Sequence, residues 1–127
     1  MIPLHCLSDF CVVSSLHDGM NLVAKEYVAN RWDDDGVLVL SKFAGASREL
    51  TDAILVDPFN ETELAEAMRA ALLMPVEERR RRMQRMRAAV MENNIYRWTG
   101  KIISTLLRLE VSGPYEHHAE LLERSAY

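Results

Sequence analysis

Short apolar runs alternate with longer amphipathic ones along this chain. Phe10–Ser14, Val37–Leu40 and Ile54–Val56 are nearly unbroken in apolar residues and are bounded by polar or glycine-bearing segments. Such runs predict three strands, and the first has the unbroken apolar character of a strand buried on both faces of a parallel sheet. The period then becomes helical. From about Met20 to Trp32, the residues Leu22, Val23, Tyr27 and Val28 fall at core-facing spacings. Asn60 and Glu63 form a capping box, after which Leu64, Met68, Ala71 and Leu72 share a face. Pro75 opens a further helix, with Glu77 and Glu78 in its first turn and Val76, Met83, Met86 and Val90 on its apolar side. Asn93-Asn94 breaks the pattern before a last helix from about Tyr96 to Glu110, with Trp98, Ile102, Leu106 and Leu109 aligned. Met1–Asp9 reads as the end of an element and could cap or close a helix. Strands alternating with helices predict an α/β fold with about three parallel strands, right-handed crossovers, flanking helices and C-terminal helices. Residues 1–110 are expected to form one partial domain, and 111–127 a polar tail.

Composition narrows the picture only slightly. The chain has 127 residues, room for one domain with a real core. Hydrophobic residues make up 49% and charged residues 27%, as in ordinary soluble proteins. A net charge of −4 argues against nucleic acid as a bulk partner. No apolar run is long enough to span a membrane, and the first residues lack the pattern of a secretory signal, so a cytoplasmic location is expected. Cys6 and Cys11 fit no disulfide framework or zinc spacing and read as reduced core residues.

Candidate chemistry concentrates where the first strand gives way to the first long helix. The segment His17-Asp18-Gly19 breaks the apolar run, and the helical pattern starts at about Met20. A helix start leaves unpaired N–H groups and the positive end of the dipole, which favour an anion such as phosphate. In a parallel sheet this turn falls at the carboxyl ends of the strands, where ligands bind. Glu26 lies one turn from Leu22 on the same stripe, and a carboxylate there is costly to bury without a partner such as a ribose diol. These features suit a sugar nucleotide. Blander readings stand beside them. Asp18 can simply cap the helix, Gly19 can serve an unusual backbone angle, Leu22 and Val23 can be core, and Glu26 can pair in solvent with Lys25 or Arg31. Lys25 reads as a surface cation. Ser41 and Phe43 suit pocket lining and loop packing equally. Arg79–Arg82, Arg85 and Arg87 read as a solvated helix face, and His117-His118 diverge too far on a helix to hold a metal.

The run from Asp18 through Gly19, Met20, Asn21, Leu22, Val23, Ala24 and Lys25 to Glu26 resembles the donor-site signature of the trehalose-6-phosphate synthase family of retaining glycosyltransferases. Gly36–Ser41, Phe43–Gly45, Arg48–Leu50 and Ala53–Pro58 agree with it, and the resemblance runs from about Asp9 to Leu109. It implies the second, C-terminal nucleotide-binding domain of a GT-B fold, and only the last part of that domain. It also implies glucose transfer from UDP-glucose to glucose 6-phosphate, with retention and without metal or other cofactor. By the same resemblance, Asp18 bonds hydroxyls of the donor glucose, Glu26 holds the ribose, and backbone N–H groups of Met20, Asn21, Leu22 and Val23 meet sugar and diphosphate, with Gly19 leaving space for them.

The family's other donor ligands, an arginine and a lysine earlier in the second domain, and most of its acceptor site have no counterpart in these 127 residues. The chain alone is therefore expected not to catalyse transfer. It reads as a fragment, a truncated frame, or one half of an enzyme completed by another chain. An open sheet edge and an uncovered helix face predict self-association. Two other readings remain: the same portion of a glucosylglycerol-phosphate synthase, and a non-catalytic domain that binds partners through its C-terminal helices.

Overall fold

The computed structural model describes residues 2–93 and 95–111; the expected tail beyond 111 and His117-His118 lie outside the described residues. Two compact units, 1–92 and 93–127, are distinguished, and each is described by itself.

In the first unit the order is α1 (Ile2–Leu7), β1 (Phe10–Val13), α2 (Leu22–Asn30), β2 (Val37–Ser41), a 3-10 turn (Gly45–Arg48), β3 (Ile54–Val56), α3 (Glu61–Leu73) and α4 (Val76–Glu92). The strands form one parallel sheet in the order β1-β2-β3, with Phe10 beside Val37 and Val39 beside Ile54. The expected α/β class and strand count are borne out. All five residues of β2 are buried. Their alternation sends Leu38 and Leu40 to one core with Tyr27, Val28, Met83 and Met86, and Val37 and Val39 to another with Val56, Ala67 and Ala71. Helices therefore cover both sheet faces, which is why this central strand reads as a continuous apolar run. β1 differs from expectation: only Val13 is buried, because β1 is an edge strand.

Of the helix positions the sequence suggests as core, Tyr27, Val28, Ala71, Met83 and Met86 are buried, while Ala24 and Ala67 enter the core in place of Leu22 and Met68. α2 begins at Leu22 rather than Met20, and its buried face is Ala24, Tyr27 and Val28. Leu22 is 60% exposed and Val23 41%, so neither is core. In α3 the small residues Ala67 and Ala71 face the sheet, and Met68 and Leu72 do not. Close approach of a helix to a sheet selects small side chains over long ones. In α4, Met83 and Met86 are buried as expected, with Val90 packed against them, but Val76 at the helix start is exposed. Asn60 caps α3 by accepting from the Glu63 N–H at 3.1 Å. Glu63 reaches past the cap residue to accept from the Asp57 N–H, also at 3.1 Å, so it fixes the end of β3 as well as the helix.

The arginines of α4 are not a free solvated face. Arg79 pairs with Asp35, Arg87 with Asp34, and Arg85 with Asp52. The first two are close ion pairs at 2.8 Å, and Arg79 Nη2 also donates to Asp35 Oδ2 at 3.4 Å. Arg82 bridges Glu78 and the Asp52 carbonyl. Arg31, only 4% exposed, donates to the carbonyls of His5, Cys6 and Ser8 and so closes α1. Of the two cysteines expected in the core, Cys6 is exposed and Cys11 half-buried; both are free.

In the second unit α5 spans Ile95–Val111. Ile102, Ile103, Leu106 and Leu107 on it are exposed. No helix among the described residues is long and apolar enough to cross a membrane.

Candidate functional site at the carboxyl rim

Between Val13 and Leu22 the chain leaves the sheet and bends before entering α2. The bend lies at the carboxyl rim, as expected: it follows the end of β1, and Asp18 forms an isolated parallel bridge with Ala44, just past the end of β2. The Asp18 carbonyl accepts from the Gly45 N–H at 2.9 Å, and the Met20 carbonyl from the Ala46 N–H at 2.8 Å. The β2–β3 loop thus extends the sheet onto the bend by one isolated bridge, closed by these two rungs.

The side chains of Asp18 and Asn21 shape this bend. Asp18 Oδ1 accepts from the N–H groups of Met20 and Asn21, at 3.1 and 2.9 Å, and Oδ2 from Asn21 Nδ2 at 2.9 Å. The Met20 N–H and the Asn21 amide hold the Asp18 carboxyl below its ordinary range. Asp18 is not the helix cap. Asn21 is: its Oδ1 accepts from the Ala24 N–H at 2.9 Å. Asn21 takes a left-handed conformation, φ 68°, which asparagine tolerates better than most residues. Gly19 has no positive φ, so the backbone-angle reading fails for it. A side chain there would meet nothing within 4 Å.

The amides expected to contact a ligand therefore divide. Those of Met20 and Asn21 are spent on Asp18. Those of Leu22 and Val23, the first two of α2, have no hydrogen-bond acceptor among the described residues. Both residues are exposed, as are Gly19 and Glu26. The buried apolar stripe expected around Glu26 is not there. Leu22 beside it is solvent-facing, because the core side of α2 runs through Ala24, Tyr27 and Val28. The carboxylate thus carries no burial cost within this chain, and Lys25 and Arg31 are committed to Glu49 and Asp33 instead. Lys25, expected as a surface cation, is only 17% exposed, its Nζ 2.9 Å from Glu49 Oε2.

Beside the bend lies a cavity of about 560 Å³, lined by His17, Asp18 and Gly19 from one loop and Lys42–Gly45, Arg48 and Glu49 from the other. Ser41 is buried and does not line it; its Oγ accepts from the Phe43 N–H and shapes the turn. Phe43 does line it, with its ring edge against Phe59 at 5.9 Å between centroids. Lys42 is tied to Asp57 at 2.7 Å, a pair that raises the lysine and lowers the carboxyl. No cluster of potential metal ligands occurs among the described residues. The sequence points to this second loop through Phe43, which does line the cavity. That Gly45, four residues past the end of β2, packs its backbone against Gly19 is not legible along the chain.

Three parallel strands between helices, with an open helix start at their carboxyl rim, define a Rossmann-like α/β protein. Comparison with known proteins gives the family: residues 1–108 match the profile of glycosyltransferase family 20, and the chain belongs to that family. It is 46% identical over 106 residues to the trehalose-6-phosphate synthase of Sodalis glossinidius, covering 83% of this chain and 22% of that protein. It is 40% identical over 103 residues to the glucosylglycerol-phosphate synthase of a Synechocystis species, covering 81% and 21%. The E. coli trehalose-6-phosphate structure bound with UDP-2-fluoro glucose superposes with a TM-score of 0.80 at 44% identity, over 85% of this chain and 24% of that one. The chain thus spans about a fifth to a quarter of the length of the relatives it matches.

Proposed function

We propose that this chain carries part of the UDP-glucose site of a retaining glucosyltransferase that makes trehalose 6-phosphate from glucose 6-phosphate. The observation that carries the reading is the start of α2: two adjacent amides, Leu22 and Val23, without acceptors, next to a glycine flanked by open space. Family membership and the relatives' names support it. As the donor breaks, negative charge grows on the departing diphosphate. Oriented N–H groups at a helix start stabilise that charge without having to reorganise. Asp18 has a second role beside holding the bend. A carboxylate offers about four acceptor positions, and three are filled within the chain. The remaining one suits a single glucose hydroxyl. Glu26, exposed one turn into α2, is assigned the ribose hydroxyls, and Gly19 leaves room for the sugar. Met20 and Asn21 act through the bend's shape rather than by donating their N–H groups. The rest of the diphosphate clamp and the acceptor site are assigned to residues outside these 127, so the chain by itself is expected not to transfer glucose.

The glucosylglycerol-phosphate synthase reading shares the same donor chemistry and differs in the acceptor. Comparable identity to both kinds of relative keeps it in view. The donor reading is tested by titrating the chain with UDP-glucose and following backbone amides by NMR. Shifts at Gly19, Leu22 and Val23 are expected, and Glu26→Ala weakens them. Gly19→Ala abolishes them while leaving the ligand-free spectrum otherwise in place. A folded chain with no shifts at millimolar UDP-glucose overturns the donor reading and favours a non-catalytic binding role.

A further inference from the structure

We infer that the β2–β3 loop is a positioning element for the donor bend, acting through the missing side chain of Gly45 and the carboxylate of Glu49. The inference rests on the donor reading above for its functional consequence, but not for its geometry. A methyl group on Gly45 would sit 2.1 Å from the Gly19 carbonyl oxygen and 2.8 Å from its carbon. Both are backbone atoms, so no rotamer change relieves the clash; the two loops must part. Parting them breaks the two rungs that hold the bend, Gly45 N–H to Asp18 and Ala46 N–H to Met20. Glu49 makes a second tie three to four residues later. It reaches across to Lys25 on the first turns of α2, with the lysine largely buried. One contact therefore fixes the bend before the helix start and the other fixes the helix just after it. Between them lie Asp18, Gly19, Leu22 and Val23. Neither Gly45 nor Glu49 is given a ligand contact; they set where the contacting groups stand.

Parting the loops breaks both backbone hydrogen bonds that hold the bend and moves the groups that meet the donor, so a loss of about tenfold or more in affinity is expected for Gly45→Ala. The loss is selective. The bend presents Asp18 and Gly19 to the glucose, so UDP-glucose binding falls more than binding of UDP alone. A purely structural role would weaken both ligands equally. The experiment measures Kd for UDP-glucose and for UDP with the 127-residue chain, its Gly45→Ala form and its Glu49→Gln form, together with ligand-free amide spectra. Glu49→Gln acts on the helix that carries the diphosphate and ribose contacts, so it is expected to weaken UDP and UDP-glucose together by a smaller factor, with ligand-free amide shifts at Leu22 and Val23. If Gly45→Ala does not fold, Glu49→Gln decides, and unchanged affinity for both ligands with unmoved amides at Leu22 and Val23 overturns the inference. Failure of the parent chain to bind either ligand counts against the donor reading, not this one. In that case the ligand-free spectra decide: Gly45→Ala must move the amides of Gly19–Asn21, and unmoved amides overturn the inference.

Discussion

Asn21 concentrates more of the site's local energetics than any neighbour. Its side chain caps α2, bonds Asp18 and sits on a left-handed backbone. Replacing it with alanine removes a cap worth about 1 kcal/mol and the local hydrogen bonds that let asparagine tolerate the left-handed region, a further cost of about 1 kcal/mol. Urea denaturation of Asn21→Ala should therefore show a loss of about 2 kcal/mol, with Asn21→Gly losing clearly less. Asp18 gives a pH-dependent counterpart. Its folded-state value is depressed, chiefly by the Met20 N–H. Its stabilisation of the bend is thus present above the ordinary carboxylate value of 3.8 and lost as pH falls through the lower folded value. The amides of Met20 and Asn21 should titrate with a midpoint below 3.8 in an NMR pH series. A midpoint at or above it would show that the carboxylate is not held. The run from Asp18 to Glu26 locates the bend, but which of its amides are free depends on where Asp18 turns its oxygens. That choice hangs on the αL conformation of Asn21 and is invisible in a residue list.

Among the elements, β2 and α4 show what the linear pattern can and cannot convey. β2 was legible because burial on both faces erases the polar alternation. Truncating Leu38, fully buried in the core beneath α2 and α4, should cost about 2–5 kcal/mol in equilibrium unfolding. The arginines of α4 read as a solvated face, since spacing along one helix says nothing about acids on other segments. Asp34, Asp35 and Asp52 lie 44 to 53 positions away from, or 33 before, their partners in no periodic relation, yet the fold gathers them along α4.

 Their worth is modest and uneven. A double-mutant cycle on Arg87–Asp34, the better buried pair, should give up to about 1 kcal/mol, and one on the exposed Arg85–Asp52 pair close to zero. In about 1 M salt, where the screening length is about 3 Å, the Arg87–Asp34 value should shrink. An equal coupling for both pairs would show that burial is not what separates them.

For the molecule as a whole, apolar surface is exposed in several places. Leu22, Val23, Leu55 and Phe59 in the first unit, and Ile102, Ile103, Leu106 and Leu107 in the second, are large hydrophobic residues left in solvent. The four on α5 recur at i, i+4 and so share a face, and a contiguous apolar patch of that kind favours association. Sedimentation velocity of the chain should show concentration-dependent self-association, reduced by Leu106→Glu on α5. A chain that stays monomeric at high concentration would count against it.

The amino-acid sequence by itself determined the α/β class, the three strands, the cap at Asn60, the place of the bend and, through the signature from Asp18 to Glu26, the family. These rest on local periodicity and on residue types whose backbone preferences act within a few positions. Only the tertiary structure decided that Glu26 and Leu22 face solvent, that Arg79 and Arg87 are anchored to distant aspartates, and that Gly45 must lack a side chain for the bend to sit where it does. Each of those depends on which backbone passes within a few ångströms, and that distance is set by the packing of the whole sheet rather than by neighbours along the chain.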